Sequence, residues 1–151
     1  MKTAQQSTKQ MEIIMELAMT SRSISAKSLW TGRIISALVV LFMLFDSITK
    51  IMQVPAVMKA SVQLGYTAGT ISVIGIILFV CVVVYVIPRT SILGAVLLTG
   101  YLGGAVATNL RIGAPLFSNV LFPVYFGILV WAGLFMRNPH LRRFIPLIKI
   151  D

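Results

Sequence analysis

Charge is what this chain has least of. Of its 151 residues, 11% are Asp, Glu, Lys or Arg and 58% are hydrophobic, whereas soluble domains carry about 25% charged residues. That is too little charge to solvate a surface, which excludes a soluble enzyme and a disordered tail. Acid is scarcest, with four Asp and Glu against thirteen Lys and Arg. There is one cysteine, Cys81, and it sits inside an apolar run. It excludes an internal disulfide, a secreted disulfide scaffold and CxxC redox chemistry within the chain. The one histidine, His140, lies beside Arg137, Arg142 and Arg143. A lone His with no local Cys or carboxylate makes no metal site by itself. No Ser/His/Asp arrangement, nucleotide loop or haem-type CxxCH occurs.

What the chain has in abundance is uncharged length. Ala60–Pro88, Thr90–Leu110 and Ile112–Met136 carry no charged residue, and mean hydropathy is +0.94. Each run exceeds the roughly 18 apolar residues that mark a transmembrane helix, since about 20 residues at 1.5 Å each cross a ~30 Å hydrocarbon layer. The sequence predicts an all-α integral membrane four-helix bundle with spans over about 30–52, 68–87, 91–110 and 117–136. Residues 1–29 then form a cytoplasmic, amphipathic N-terminal tail and 137–151 a basic cytoplasmic C-terminal tail. The first 29 residues hold Lys2, Lys9, Arg22 and Lys27 and no continuous apolar core, so span one is expected to be an uncleaved anchor.

The connections set the topology. Pro88 ends span two and Ser91 is placed to cap span three. Gly113 and Pro115 make the third connection a tight one. Between spans one and two, Pro55 opens and Gly65 closes a segment with Val54, Val57, Met58, Ser61 and Leu64 on one side. This reads as a short helix lying in the membrane interface, with Tyr66 as an aromatic anchor. An irregular loop is the alternative. Ten of the thirteen Lys and Arg fall on the side of the termini and three, Lys50, Lys59 and Arg111, on the other. The positive-inside rule therefore puts both termini in the cytoplasm, and the basic flanks serve the lipid bilayer rather than nucleic acid. Met11, Met15 and Met19 recur at spacing four, a packing or interfacial stripe rather than a copper site.

Polar groups inside a span cost free energy unless paired, so they are the functional candidates. Asp46 falls about 7.5 Å from the middle of span one and Lys50 about 13.5 Å. They stand four apart in the favourable acid-first order. Two readings stay open: a proton-titrating or ligand-holding carboxylate, or an ion pair that orients the helix. Gly100, Gly104 and Thr108 form a GxxxG-type small face, read as helix packing. Asn109 and Arg111 end span three; Asn119 and Pro123 begin span four, where Pro123 would free the Asn119 carbonyl in a kink. Asp46, Lys50, Tyr66, Asn109, Arg111 and Asn119 can together bound an outward-facing polar pocket, with Tyr101 and Tyr125 along its deeper wall. Ordinary interfacial anchoring is the competing picture.

Leu29–Arg33, Phe45-Asp46 through Lys50, Leu64-Gly65-Tyr66, Ile87-Pro88-Arg89-Thr90, Leu98–Phe117, Phe122-Pro123-Val124-Tyr125 and the basic Arg137–Pro146 stretch resemble, in order and spacing, the DoxX-like family of small bacterial membrane proteins. The resemblance covers about residues 28–149. It implies a four-helix protein of the bacterial inner membrane, linked to membrane redox complexes through relatives of a thiosulfate:quinone oxidoreductase membrane subunit. A quinone is the implied cofactor, with partner proteins of a membrane complex or further copies of the chain. Similar sequences often carry His where Asn109 and Asn119 stand, so the resemblance brings no metal, haem or imidazole role to these positions. Its functional implication is an accessory or ligand-binding subunit without established catalytic residues. A quinone-linked membrane oxidoreductase and a structural or chaperone-like membrane protein are the alternatives.

Overall fold

The computed structural model describes residues 2–20, 26–138 and 141. Among the described residues, six α-helices and one π-helical turn make up the regular structure, and there is no strand. The helices are α1 (Lys2–Thr20), α2 (Ala26–Ile51), α3 (Pro55–Gln63), α4 (Ala68–Val86), α5 (Ser91–Arg111) and α6 (Phe122–Arg137), with the π turn at Leu116–Val120 before α6. Among the described residues, four stretches are long and apolar enough to cross a membrane: Lys27–Ile51, Ala68–Val86, Ser91–Arg111 and Leu116–Arg137. Ile and Val dominate α4. They are mediocre helix formers in water, yet lipid leaves the backbone no alternative to internal bonding. The basic C-terminal stretch expected at 137–151, with His140, Arg142, Arg143 and Lys149, lies mostly outside the described residues.

The short connections make neighbours antiparallel. α2 packs on α4 and α6, α5 packs on the same two, and α2 and α5 face each other across the diagonal. Most large apolar side chains point outward, among them Leu38, Leu41 and Phe45 on α2 and Ile76, Ile77 and Val80 on α4. That inversion of the soluble pattern is how a bundle faces lipid tails. α1 touches no other element among the described residues, and its side chains from Gln5 to Met15 are exposed.

One end of the bundle, at the α4–α5 turn, is closed by close helix approach. A Cβ on Gly94 would collide with the backbone of Tyr85, and one on Gly133 would lie 2.5 Å from Ser36 Oγ. Tyr85 is fully buried there with Val82, Ala95, Leu98, Val130 and Leu134. Its hydroxyl donates to the Val130 carbonyl (3.0 Å) and lies 3.2 Å from Ser36 Oγ. With that proton committed, the Ser36 hydroxyl donates to the Tyr85 oxygen. Arg137 closes the set, its guanidinium over the Tyr85 ring at 4.8 Å and one N–H 3.3 Å from the Tyr85 carbonyl.

The turn chemistry differs from the expectation at one residue. Ser91 is inside α5 and Thr90 holds the cap position, without capping through its side chain. The Thr90 hydroxyl turns back to the Val84 carbonyl (2.9 Å) and Ser91 donates to the Pro88 carbonyl (3.1 Å), so both bind the turn that Pro88 left without regular partners. At the other end, Pro55 starts α3 and Gly65 takes φ +84° after it, the left-handed conformation that glycine adopts without strain.

Candidate functional site

Between the diagonal helices, in the half of the bundle away from the α4–α5 turn, lies a cavity of about 520 Å³. α2 contributes Phe42, Met43, Asp46 and Lys50 to its wall; α4 contributes Ile71, Ile74 and Leu78; α5 contributes residues from Gly100 to Asn109; α6 contributes Phe122, Pro123 and Phe126. Ser61, Leu64 and Tyr66, from α3 and the segment after it, complete the end near the helix termini. Along α5 the wall runs from Gly100 to Asn109, about 13.5 Å at 1.5 Å per residue.

Sequence spacing explains which side chains reach it. Phe42, Asp46 and Lys50 recur every four residues on α2, so they share one face. Phe122 and Phe126 do the same on α6. Phe42 packs against both, with ring centroids 5.9 Å from Phe122 and 4.5 Å from Phe126, making an aromatic wall. Lys50 Nζ bonds both carboxylate oxygens of Asp46. The charges cancel within one helix, which is how a carboxylate one turn inside an apolar span stays affordable.

Tyr66 reaches across to α5, its hydroxyl 2.6 Å from Thr108 Oγ1. The Thr108 proton goes to the Gly104 carbonyl (3.0 Å), so Tyr66 is the donor and its own oxygen keeps acceptor capacity. Asn109 donates through Nδ2 to the Ala105 carbonyl (2.9 Å), which leaves Oδ1 as an acceptor. Tyr101 lines the deeper part, and among the described residues its hydroxyl has no hydrogen-bond partner.

Four of the six residues expected to bound a pocket, Asp46, Lys50, Tyr66 and Asn109, line this cavity. Arg111 stands outside the wall and donates to the Leu64 carbonyl (2.8 Å), tying the end of α5 to the cap of α3. Asn119 does not join them. It is exposed on the π turn, where Ser118 donates to its side-chain oxygen at 2.7 Å. The kink expected at Pro123 takes the form of a break. The π turn ends, α6 restarts at Phe122, and Pro123 sits in its first turn, where a missing N–H costs little. The break turns Val120 inward in place of Asn119. Tyr125 also faces outward, half exposed.

Gly100, Gly104 and Thr108 have a different setting from the helix contact expected of them. A Cβ on Gly100 or Gly104 would meet nothing within 4 Å. Among the described residues no helix packs there; the two glycines border the cavity instead. The close contacts fall to isolated glycines, Gly32, Gly75, Gly94 and Gly133, which carry no spaced motif. The aromatic wall also went unread, although Phe122 and Phe126 at spacing four are a visible signal for it.

A four-span bundle with an apolar exterior and a polar group set inside it defines a multi-pass membrane protein in contact with the lipid bilayer. The chain belongs to the DoxX-like family, whose model matches residues 34–133, a segment that contains every cavity-lining residue from Phe42 to Phe126. No curated protein and no solved structure matches the chain.

Proposed function

We propose that this protein holds a lipid-like ligand in the cavity, as an accessory subunit of a membrane redox complex in the bacterial inner membrane. The observation that carries this reading is the cavity itself. It is apolar in depth and polar at one end, and at about 520 Å³ it falls within the range of small-molecule sites. An amphiphile has the matching shape, with its head among Asp46, Lys50, Tyr66 and Asn109 and its apolar part against Phe42, Phe122 and Phe126.

The quinone that the family resemblance implies fits this set of residues. The aromatic wall suits a planar ring, and the unpartnered Tyr101 hydroxyl is a donor for a ring oxygen. When bound, a quinone supplies electron-carrying chemistry; the chain's own residues supply the pocket, the hydrogen bonds and the exclusion of bulk water. Both termini in the cytoplasm is the orientation that the Lys and Arg distribution supports. A structural role through partner helices at Gly100 and Gly104 has less support, because these glycines border the cavity.

Native purification in mild detergent, followed by mass spectrometry of co-purifying lipids and proteins, tests the proposal. The expected result is a stoichiometric lipid-like species that is lost from Gly104→Leu, together with partner subunits. Wild-type protein carrying only bulk phospholipid, in the same proportions as that variant, would overturn it.

A further inference from the structure

The residues that line the cavity carry no net charge, and the Arg111 guanidinium behind them is held on the Leu64 carbonyl. Asp46 and Lys50 are the charged residues in its wall, and each is the other's partner. A carboxylate head placed there would compete with Asp46 for Lys50, and an ammonium head would compete with Lys50 for Asp46. Either leaves one protein charge unpaired in a low-dielectric surrounding, which costs more than the new pair returns. An uncharged head leaves the pair intact.

The hydrogen-bonding capacity facing the cavity narrows the class further. Near the polar end, the Tyr66 proton is committed to Thr108 and one Asn109 N–H to Ala105. What remains are two acceptors, the Tyr66 oxygen and Asn109 Oδ1, one further N–H each on Asn109 and Lys50, and the hydroxyls of Ser61 at this end and Tyr101 deeper in, which can donate or accept. A hydroxyl is the smallest uncharged group that serves both kinds of partner. An ether or ketone satisfies these donors alone and offers no proton to the Tyr66 and Asn109 oxygens when water is displaced.

We infer that the cavity selects an uncharged amphiphile with a hydroxyl-bearing head, held by Tyr66 and Asn109, in a space that the missing side chains of Gly100 and Gly104 provide. This rests on the ligand-holding reading above. Within the ligand class proposed there, it favours the reduced, hydroxyl-bearing form over the dione. The two glycines set the capacity of the site. A Cβ placed on either meets nothing within 4 Å and both residues line the cavity, so a side chain there takes up ligand volume.

The test uses the full-length protein in phosphatidylcholine vesicles with four photoreactive probes of one chain length, each carrying a diazirine on the tail. They are hexadecan-1-ol, its methyl ether, hexadecanoate and hexadecyltrimethylammonium. Adducts on peptides spanning 42–50 and 100–109 are counted by mass spectrometry against adducts on the lipid-facing peptide around Leu38. The alcohol is expected to label the cavity peptides about fivefold more than the ether, the ratio that one hydrogen bond of about 1 kcal/mol supplies. Both charged probes are expected below the alcohol. Tyr66→Phe and, separately, Asn109→Leu should bring the alcohol-to-ether ratio toward one with ether labelling unchanged. Gly104→Leu should remove cavity labelling by every probe while labelling around Leu38 persists, which shows that the variant is folded and embedded. Equal labelling by alcohol and ether, or preference for a charged probe, overturns this inference and leaves the ligand-holding reading standing. Wild-type labelling of the cavity peptides no greater than that of Gly104→Leu, with all probes, overturns both.

Discussion

The two halves of the bundle treat the same residue types in opposite ways. In the closed half, each glycine is covered by a neighbour: Gly94 lies under the Tyr85 backbone and Gly133 under Ser36. In the half with the cavity, Gly75 lies under Lys50 and Ser47, but Gly100 and Gly104 meet nothing within 4 Å. Tyrosines divide along the same line. The Tyr85 hydroxyl is saturated by Val130 and Ser36, whereas among the described residues Tyr101 has no hydrogen-bond partner and Tyr66 keeps an open acceptor. Saturation without free volume is what a structural core needs; free volume with unspent hydrogen-bonding capacity is what a binding site needs. The comparison teaches that residue identity does not separate the two roles in a membrane bundle. The surroundings of each residue do.

Substitutions can break that contrast, and the largest effect belongs to the closed half. Gly94→Leu should cost more than about 3 kcal/mol, because overpacking here strikes backbone that has nowhere to move. Detergent-purified protein should lose its cooperative unfolding transition; an unfolding temperature equal to that of wild type would show that the contact yields. Lys50→Met comes next at about 2.5 kcal/mol, since it strands the Asp46 charge inside an apolar span. The double variant Asp46→Asn/Lys50→Met should recover most of that loss in the same melting assay, and no recovery would mean that Lys50 acts by other contacts.

Tyr85→Phe sharpens the comparison at a smaller scale. It leaves Ser36 and the Val130 carbonyl without their partner and should cost about 1 kcal/mol. The matching change in the other half, Tyr101→Phe, should leave unfolding unchanged while weakening whatever ligand the cavity holds. A stability loss at Tyr101 as large as at Tyr85 would erase the distinction between the halves. Smallest of all, Gly104→Leu should shift stability by no more than about 0.5 kcal/mol, as for a surface substitution.

Spans two to four were legible because lipid demands long apolar helices, and Ala60–Pro88, Thr90–Leu110 and Ile112–Met136 announce them by composition alone; span one showed through its apolar Ile34–Phe45 core despite Arg33, Asp46 and Lys50. The helix α3 was legible too, since Pro55 and Gly65 punctuate it at both ends. The site was legible in part. Polar residues in an apolar span draw attention wherever they lie, so Asp46, Lys50, Tyr66 and Asn109 stood out singly. Their grouping depends on helix rotation, and that is where Asn119 departed. The π turn at Leu116–Val120 shifts the angular register by an amount that no 3.6-residue period contains. The GxxxG spacing was ambiguous in a deeper way. It specifies a surface without side chains, and whether a helix or a space lies against that surface is decided by the other three spans.

The Asp46–Lys50 pair has a consequence for biogenesis. Both partners belong to α2 and stand one turn apart, so neutralisation is complete as soon as that turn winds. The segment can leave the translocation machinery and partition sideways into the bilayer with its carboxylate already compensated, before the remaining spans have been synthesised. A carboxylate matched by a residue on α4 or α5 would have had to wait, charged and exposed to acyl chains, for its counterion to arrive.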